Sequence, residues 1–330
     1  MDRKALLNQL SLAYSPLCNY DFTTLKNDPV IQDIIDRSSL YAIVQRPEIR
    51  FDNITKVEEE KSIAFEIRQN RNPNVLKCKM PLFQKHIATY PSNEVVVQFG
   101  SNDKNATLVE LPLNNIHGMK FYQKSVKTEN FLLWISPEKF LQNYWEGHLE
   151  AEIEGNIHDF TKYYVHYVGQ ATKQDIWKRL TGHDKLQDIL SLEYPLIYGS
   201  LPTHEIAILL FCFKDNLQMQ TFGNDSNVDE LVDSLMGKNM PEQRTIFLDA
   251  EKALINAMLP KYNDELFKSY PKSSDGLYKH NYNSISYSFT DPITLVYDKG
   301  EIQGGLTFWG GDTIIIQDNK TMQLIKHDKK

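Results

Sequence analysis

The chain has 330 residues, with 36 basic and 43 acidic side chains and a formal net charge of -7. At roughly 100–200 residues per domain, this length predicts two domains that bury cores of their own and need no disulfide staples. Aromatic residues at 11% and charged residues at 24% exclude a disordered chain, and the acidic balance excludes a protein that coats nucleic acid through bulk positive charge, though not one with a local basic groove.

The opening stretch, MDRKALLNQLSLAY, is a poor signal peptide because Asn8, Gln9 and Ser11 interrupt its apolar positions. Residues 2–13 read instead as a short helix carrying Ala5, Leu6, Leu10 and Leu12. Residues 29–37 read as a second helix, with Pro29 at its start and Ile31, Ile34 and Ile35 inward. Strand-like runs follow at Tyr41–Val44, Ser62–Ile67, Glu94–Phe99, Ala106–Leu111 and Phe131–Ile135, with a helical reading for Pro81–Thr89 between them. The turn-rich segments 70–74 and 100–105 separate these runs. Ser136 and Pro137 then open a helix as N-cap and first helical residue. Residues 1–149 are therefore expected to form an α+β recognition or regulatory domain.

The pattern changes near residue 150. Ala151–Asp159 and Lys162–Gly169 read as two strands close enough to form a hairpin. Gln174–Leu190 is helical, with an interruption at Gly182, and Glu205–Phe213 is an apolar strand. Val228–Met236 and Ile246–Met258 are helical, and Pro260 stops the second. The connection Lys214–Arg244, with Gly223, Asn224 and Asp225, is long and reads as a binding loop or an insertion. Residues 271–330 form a β-rich extension with strands at Ser284–Phe289, Thr294–Tyr297, Leu306–Trp309 and Thr313–Ile316. The longest apolar run, Ile206–Phe213, is strand-sized and far from the ~18 residues of a membrane span. Cys18, Cys78 and Cys212 lie far apart with no CxxC pair, which argues against a disulfide framework and a structural zinc site. Thiols of this kind suit a cytoplasmic protein.

Two segments carry chemistry. Residues 163–183, YYVHYVGQATKQDIWKRLTGH, read as a strand ending at Gly169, a loop, and a helix with Arg179 and His183. Those two are four apart and share a face if the helix continues through Gly182. A guanidinium pairs bidentately with phosphate oxygens, and an imidazole moves a proton near neutral pH, so the pair suits a phosphodiester. In FLDAEKALINAMLPKYN, residues 247–263, Glu251 sits on the flank of the stripe Phe247, Ala250, Leu254, Ile255 and Met258. A carboxylate there needs donors or a cation, and Mg²⁺ takes such a single carboxylate while keeping its waters. Asn263 follows as an amide fixed at a turn.

In this order the segments resemble the GIY-YIG nuclease superfamily. Tyr167-Val168-Gly169 looks like its second motif, and Arg179 matches the arginine of its first helix. His183, in Arg-Leu-Thr-Gly-His, resembles the Arg-x-x-x-His variant of the restriction endonucleases in that superfamily. Glu251 matches its metal-binding glutamate, and Pro260-Lys261-Tyr262-Asn263 resembles its late Pro-x-Tyr-Asn. The resemblance spans about residues 150–270. It implies an α+β fold: an N-terminal α+β domain (1–149), a GIY-YIG-like ββαβα nuclease domain (150–270) and a β-rich C-terminal extension (271–330). It also implies a DNA endonuclease, of restriction or other defence against foreign DNA, that uses Mg²⁺ or Mn²⁺. Glu251 would hold the metal, Arg179 would neutralise the phosphoryl oxygens, Tyr167 would take a proton, His183 would relay it, and Asn263 would orient Glu251 or the phosphate. No Gly-Ile-Tyr precedes the second motif. Gly155-Asn156-Ile157-His158 would put His158 where the first tyrosine belongs, and the neighbouring Tyr163 or Tyr164 is the open alternative that would supply the phenol.

Charge tests this reading. Residues 155–270 hold eleven basic and sixteen acidic side chains, so affinity for duplex phosphates must come from local clusters. Two such clusters are Arg68, Arg71, Lys77, Lys79 and Lys85, and Lys173, Lys178, Arg179 and Lys185. The competing expectation is a GIY-YIG-like module that has lost catalysis and serves nucleic-acid binding or assembly. A third is a nuclease held in check by residues 1–149 until a regulatory partner or a ligand arrives. A homodimer, the choice of single- or double-stranded DNA, and RNA as substrate stay open at this point.

Overall fold

The computed structural model describes residues 3–85, 94–101, 110–124, 129–172, 175–196, 202–223, 227–307 and 310–327. It has a mixed α+β fold. The chain divides into two compact units: Met1–Arg46, Lys162–Pro195 and Leu201–Lys330 form the first, and Pro47–Thr161 with Leu196–Ser200 the second. Among the described residues, no helix is long and apolar enough to cross a membrane.

In chain order, the first unit begins with β1 (Lys4–Leu12), β2 (Leu17–Cys18), α1 (Asn19–Leu25), α2 (Pro29–Ile35) and β3 (Leu40–Gln45). The second unit then supplies β4 (Ile49–Val57), β5 (Ser62–Gln69), β6 (Val75–Pro81), β7 (Glu94–Ser101), β8 (Ile116–Lys124), β9 (Glu129–Ile135), α3 (Pro137–Trp145) and β10 (Glu152–Glu154). The first unit resumes with β11 (Lys162–Gln170), α4 (Ile176–Thr181), α5 (Asp184–Leu192), α6 (Pro202–Glu205), β12 (Ile206–Gln220), α7 (Val228–Leu235) and α8 (Gln243–Met258). It ends with β13 (Ser284–Phe289), β14 (Thr294–Tyr297), β15 (Gly300–Gln303), β16 (Thr313–Gln317) and β17 (Thr321–Ile325).

The first unit is built on one sheet in the order β15-β14-β11-β3-β12-β1-β13-β16-β17, with β2 on β12. The central trio β11-β3-β12 is antiparallel throughout. Side chains alternate across the sheet and feed two cores. Leu40, Ala42 and Val44 face the side covered by α8, together with Tyr163, Val165, Leu209 and Phe211. Tyr41 and Ile43 face the side covered by α4 and α5, with Trp177, Leu180, Leu186 and Ile189. The second unit has a sheet in the order β10-β6-β5-β4-β8-β7, with β9 on β8. Its core holds a cluster of aromatic edges, in which Phe140 of α3 meets Phe51 and Phe65.

Several sequence expectations change here. Residues 2–13 are not a helix; Lys4–Leu12 is a strand in mid-sheet, between β12 and β13. Its buried positions are Leu6, Asn8, Leu10 and Leu12, a period of two that the polar Asn8 obscures. Asn8 is accommodated because its amide donates to Ser286 O at 3.2 Å and accepts from Asn216 at 2.8 Å. The hairpin expected from 151–159 and 162–169 does not form. β10 pairs with β6 in the second unit, whereas β11 pairs with β3 and β14 in the first. The Lys214–Arg244 connection is partly strand, since β12 runs on to Gln220 against β1. Pro81 closes β6, and residues 86–89 of the helix expected there lie outside the described residues, as do 106–109 and 308–309 of two expected strands.

The units also group the chain differently from the expected divisions at 149/150 and 270/271. Residues 4–45 supply two full strands to the sheet that carries β11 and α8, and β13–β17 extend the same sheet. Deleting residues 1–149 would strip β1 and β3 from that sheet, so the separable piece is the second unit, which interrupts the first between β3 and β11.

Candidate active site

A cleft of about 350 Å³ brings together Tyr167, Arg179, His183, Glu251 and Asn263, along with Gly182, Asp184, Lys185, Ile255, Asp264, Glu265 and Phe267. All five residues singled out from sequence line it, although they come from β11, α4, the α4–α5 junction, α8 and the turn after α8.

Each side chain is placed by local chemistry. Asp175 caps α4, its carboxylate accepting from Trp177 N at 2.6 Å and Lys178 N at 3.3 Å. Gly182 ends that helix, the interruption that the sequence predicts, so Arg179 and His183 do not lie on one continuous helix face. They meet because the chain turns and His183 caps α5, with Nδ1 accepting from Leu186 N at 3.4 Å. That bond leaves the proton of the neutral ring on Nε2, which donates to the Tyr41 hydroxyl at 2.7 Å. Burial, and then the nearby Arg179 charge, pushes His183 down to about 4, so the imidazole is neutral at pH 7.

Tyr41 is the residue that sequence reasoning missed. It is fully buried, its ring lies 6.0 Å from that of Tyr167, and both rings meet His183, at 5.7 and 4.9 Å. Burial raises its pKa well above that of an ordinary phenol, with Tyr167 adding to the effect and Arg179 opposing it. Gly169 makes this arrangement possible. It lies opposite Tyr41 in the β11–β3 register, and a Cβ there would stand 2.7 Å from the Tyr41 hydroxyl and 2.5 Å from the Tyr167 ring. The sequence signal was the strand Leu40–Gln45 itself, whose Tyr41 alternates out of the apolar Leu40, Ala42 and Val44 set. The alternatives taken from sequence lie elsewhere. His158 belongs to the second unit, Tyr163 is buried in the α8-side core, and Tyr164 is 46% exposed on β11; none lines the cleft.

Arg179 lies beside the Tyr41 and Tyr167 phenols; burial works against its charge, but the two phenols together outweigh it and raise its pKa. Glu251 projects from α8, half-buried. Burial pushes its carboxyl up to about 7, Asp275 and Glu265 push the same way, and Lys252 and Arg179 oppose them. Asn263 has both amide groups on the free edge of β11: Val168 N donates to its Oδ1 at 3.0 Å, and its Nδ2 donates to Val168 O at 2.7 Å. Its amide therefore positions β11 and is not aimed at Glu251. Lys185 is ion-paired with Asp264 at 3.0 Å.

The helix that carries Glu251 is anchored by a buried carboxylate, Asp249. Asp249 accepts from Tyr270 Oη at 2.7 Å, Tyr287 Oη at 2.8 Å and Leu277 N at 2.8 Å. A Cβ at Gly276 would lie 2.5 Å from Asp249 Oδ1, which accounts for glycine there. These bonds tie residues 270–287 to α8 and help fix the segment that brings Asp264, Glu265 and Phe267 to the cleft.

A divalent cation fits what Glu251 offers. Its carboxylate accepts no hydrogen bond from a described residue, its charge is disfavoured by burial, and Glu265 adds a second carboxylate to the same cleft. Among the described residues, no group of three His, Cys, Asp or Glu side chains converges as a metal cage. A hard cation that keeps several waters needs no such cage. The basic cluster expected on the first half of the chain is largely offset: Arg68 meets Glu66 at 2.6 Å, Lys77 Glu154 at 3.7 Å, Lys79 Glu60 at 2.8 Å, and Lys85 Glu150 at 2.7 Å. Lys173 of the second cluster lies outside the described residues.

No protein-family model, no curated protein and no solved structure matches this chain.

Proposed function

We propose that the cleft is the active site of a metal-dependent endonuclease of the GIY-YIG kind, hydrolysing a phosphodiester of DNA. The observation that carries the reading is the convergence of Tyr167, Arg179, His183 and Glu251 on one cleft from four separate elements. The antiparallel trio β11-β3-β12, followed by the Glu251 helix, is in keeping with the ββαβα order of that superfamily. In this reading Tyr41, on the strand beside Tyr167, stands where the first-motif tyrosine was sought, and the second unit is an insertion between the two motif strands.

The roles follow from the chemistry of each group. Arg179 offsets charge on the nonbridging phosphoryl oxygens as it builds up. Tyr41 stays protonated, because burial disfavours its phenolate, and His183 fixes its oxygen. Tyr167, reacting as its phenolate with Arg179 beside it to offset that charge, then takes the proton of the attacking water and becomes the neutral phenol. Water adds to phosphorus, the bond to the leaving oxygen breaks, and that oxygen departs with negative charge. Glu251 would hold Mg²⁺ or Mn²⁺, which when bound would supply stabilisation of that leaving charge.

A second reading, a module that binds nucleic acid or protein without catalysis, is favoured by one observation. Asp184, Asp264 and Glu265 crowd the same cleft, and Lys185 is already paired. The two readings separate in one experiment. Purified protein is incubated with supercoiled plasmid and with single- and double-stranded DNA and RNA oligonucleotides, in Mg²⁺, Mn²⁺ or EDTA. Metal-dependent nicking that disappears in Glu251→Gln and Arg179→Ala is the expected result. Binding without cleavage under every metal supports the second reading, and full cleavage by Glu251→Gln removes this site assignment.

A further inference from the structure

We propose that His166, with Gln45, Glu193 and Tyr262, is a positioning cluster that holds a bulge in β11 and so turns Tyr167 into the cleft. The inference deepens the nuclease reading and rests on it for what Tyr167 does there, but not for where Tyr167 points.

The argument is one of parity. Along a regular strand, residues two apart share a face. Tyr163 and Val165 face the α8-side core, so Tyr167 in an unbroken strand would follow them into it. It does not. Tyr167 packs on the opposite side with Tyr41, and Val168, three residues after Val165, returns to the α8 side. The β11–β3 register shows how: Val165 pairs with Val44 and Tyr167 with the next residue, Ile43, so His166 is the extra residue. One inserted residue moves every later side chain to the other face. The bulge is thus what takes Tyr167 out of the core and puts Gly169 opposite Tyr41.

A bulge leaves its extra residue outside the ladder, and this one is buried, with His166 only 7% exposed. The polar groups set free need partners, and they have them. The imidazole Nε2 lies 3.1 Å from Gln45 Oε1, and the Gln45 amide nitrogen in turn donates to Tyr194 O at 3.0 Å. The His166 carbonyl accepts from Tyr262 N at 3.1 Å. Two residues on, the outward N–H and C=O of Val168 are held by Asn263. The turn that carries Tyr262 and Asn263 therefore grips β11 at both ends of Tyr167. Glu193, at the end of α5, fixes that turn: its Oε1 accepts from Tyr262 Oη at 2.8 Å and Lys261 Nζ at 2.7 Å, and lies 4.0 Å from His166 Nδ1. Burial lowers the pKa of His166, with Glu193 opposing, so the ring serves as a neutral hydrogen-bonding group. None of these side chains lines the cleft, which is why their role is positional.

The test replaces Tyr167 with 3-fluorotyrosine by site-specific incorporation in the full chain and records its ¹⁹F resonance in wild type, His166→Ala, His166→Gln and Tyr262→Phe. Cleavage kinetics are measured in parallel without the label. His166→Ala is expected to shift or broaden the resonance and lower kcat by roughly 10–100-fold with little change in KM, since a displacement of about 1 Å can cost that much. His166→Gln, which can still donate to Gln45, is expected to recover part of both. Tyr262→Phe removes one hydroxyl and no backbone contact, so it is the variant to read if His166→Ala does not fold. A resonance that superimposes on wild type in the folded variants overturns the inference. If the wild-type protein cleaves nothing, the nuclease reading fails while the resonance still decides the positioning.

Discussion

Gly169→Ala is a sharp probe of the site because it adds one methyl group where two phenols meet. The new Cβ would lie 2.5 Å from Tyr167 Cε1, 2.7 Å from Tyr41 Oη and 2.8 Å from Tyr41 Cζ. Tyr41 is fully buried and tied to His183 at 2.7 Å, so it cannot swing aside freely. Overpacking of this kind costs about 1–3 kcal/mol. Moving the phenol also strands the His183 N–H without an acceptor, which costs a further ~1–3 kcal/mol. Alanine in place of glycine in a strand offsets roughly 0.5–1 kcal/mol of this. The net loss is about 1–5 kcal/mol, a fall in Tm of about 2–20 °C for a unit of this size. The assay is thermal and urea denaturation, run alongside plasmid nicking, which should fall with stability still sufficient for folding at 20 °C. Tyr41→Phe removes the oxygen that the methyl would strike, so Gly169→Ala should cost about 1 kcal/mol less in that background. A Gly169→Ala protein with wild-type Tm, or strict additivity in the double mutant, would refute this placement of Tyr41.

Two predictions concern pH. His183 has a folded pKa of about 4 against its ordinary 6.5, so between those values the unfolded chain binds a proton that the folded chain does not. Its contribution is complete above about pH 6.5 and is lost as pH falls to 4, by about 3 kcal/mol. Urea midpoints at pH 7.5 and 4.5 should differ less in His183→Asn, which keeps a cap for α5; an unchanged pH slope there counts against the buried neutral imidazole. Glu251 runs the other way. Burial raises it to about 7 from 4.5, so the folded state is disfavoured as pH rises through that window. Glu251→Gln should therefore match wild type near pH 4.5 and exceed it by up to about 3 kcal/mol at pH 8 without metal. Added Mg²⁺ should raise the Tm of wild type and not of Glu251→Gln; equal shifts would place the metal elsewhere.

Much of the site was legible along the chain because its parts are local. The start at Pro29, the cap Ser136, the break at Gly182 and the stop at Pro260 act within a turn or two and read directly from residue type. So did the flank position of Glu251 on an apolar stripe. Three things were hidden. β1 reads as a helix from sequence because the buried Asn8 interrupts its alternation, and the partners of Asn8, Ser286 and Asn216, are far along the chain. Asn263 reads from sequence as part of the chemistry, whereas its amide completes a strand edge. Tyr41 carries no signal of its role along the chain, since an inserted unit separates it from Tyr167 and His183.

The order and identity of the reactive groups Tyr167, Arg179, His183 and Glu251 belong to the amino-acid sequence, because residue type and spacing carry chemical capacity. Their convergence belongs to the tertiary structure. Strand pairing across an inserted unit puts Tyr41 against Gly169, and a single bulged residue, His166, decides which face of β11 Tyr167 occupies. Register has a period of two, so one residue reverses every side chain after it, and the hydrogen bonds that stabilise that choice come from the ends of β3 and α5 and the turn after α8.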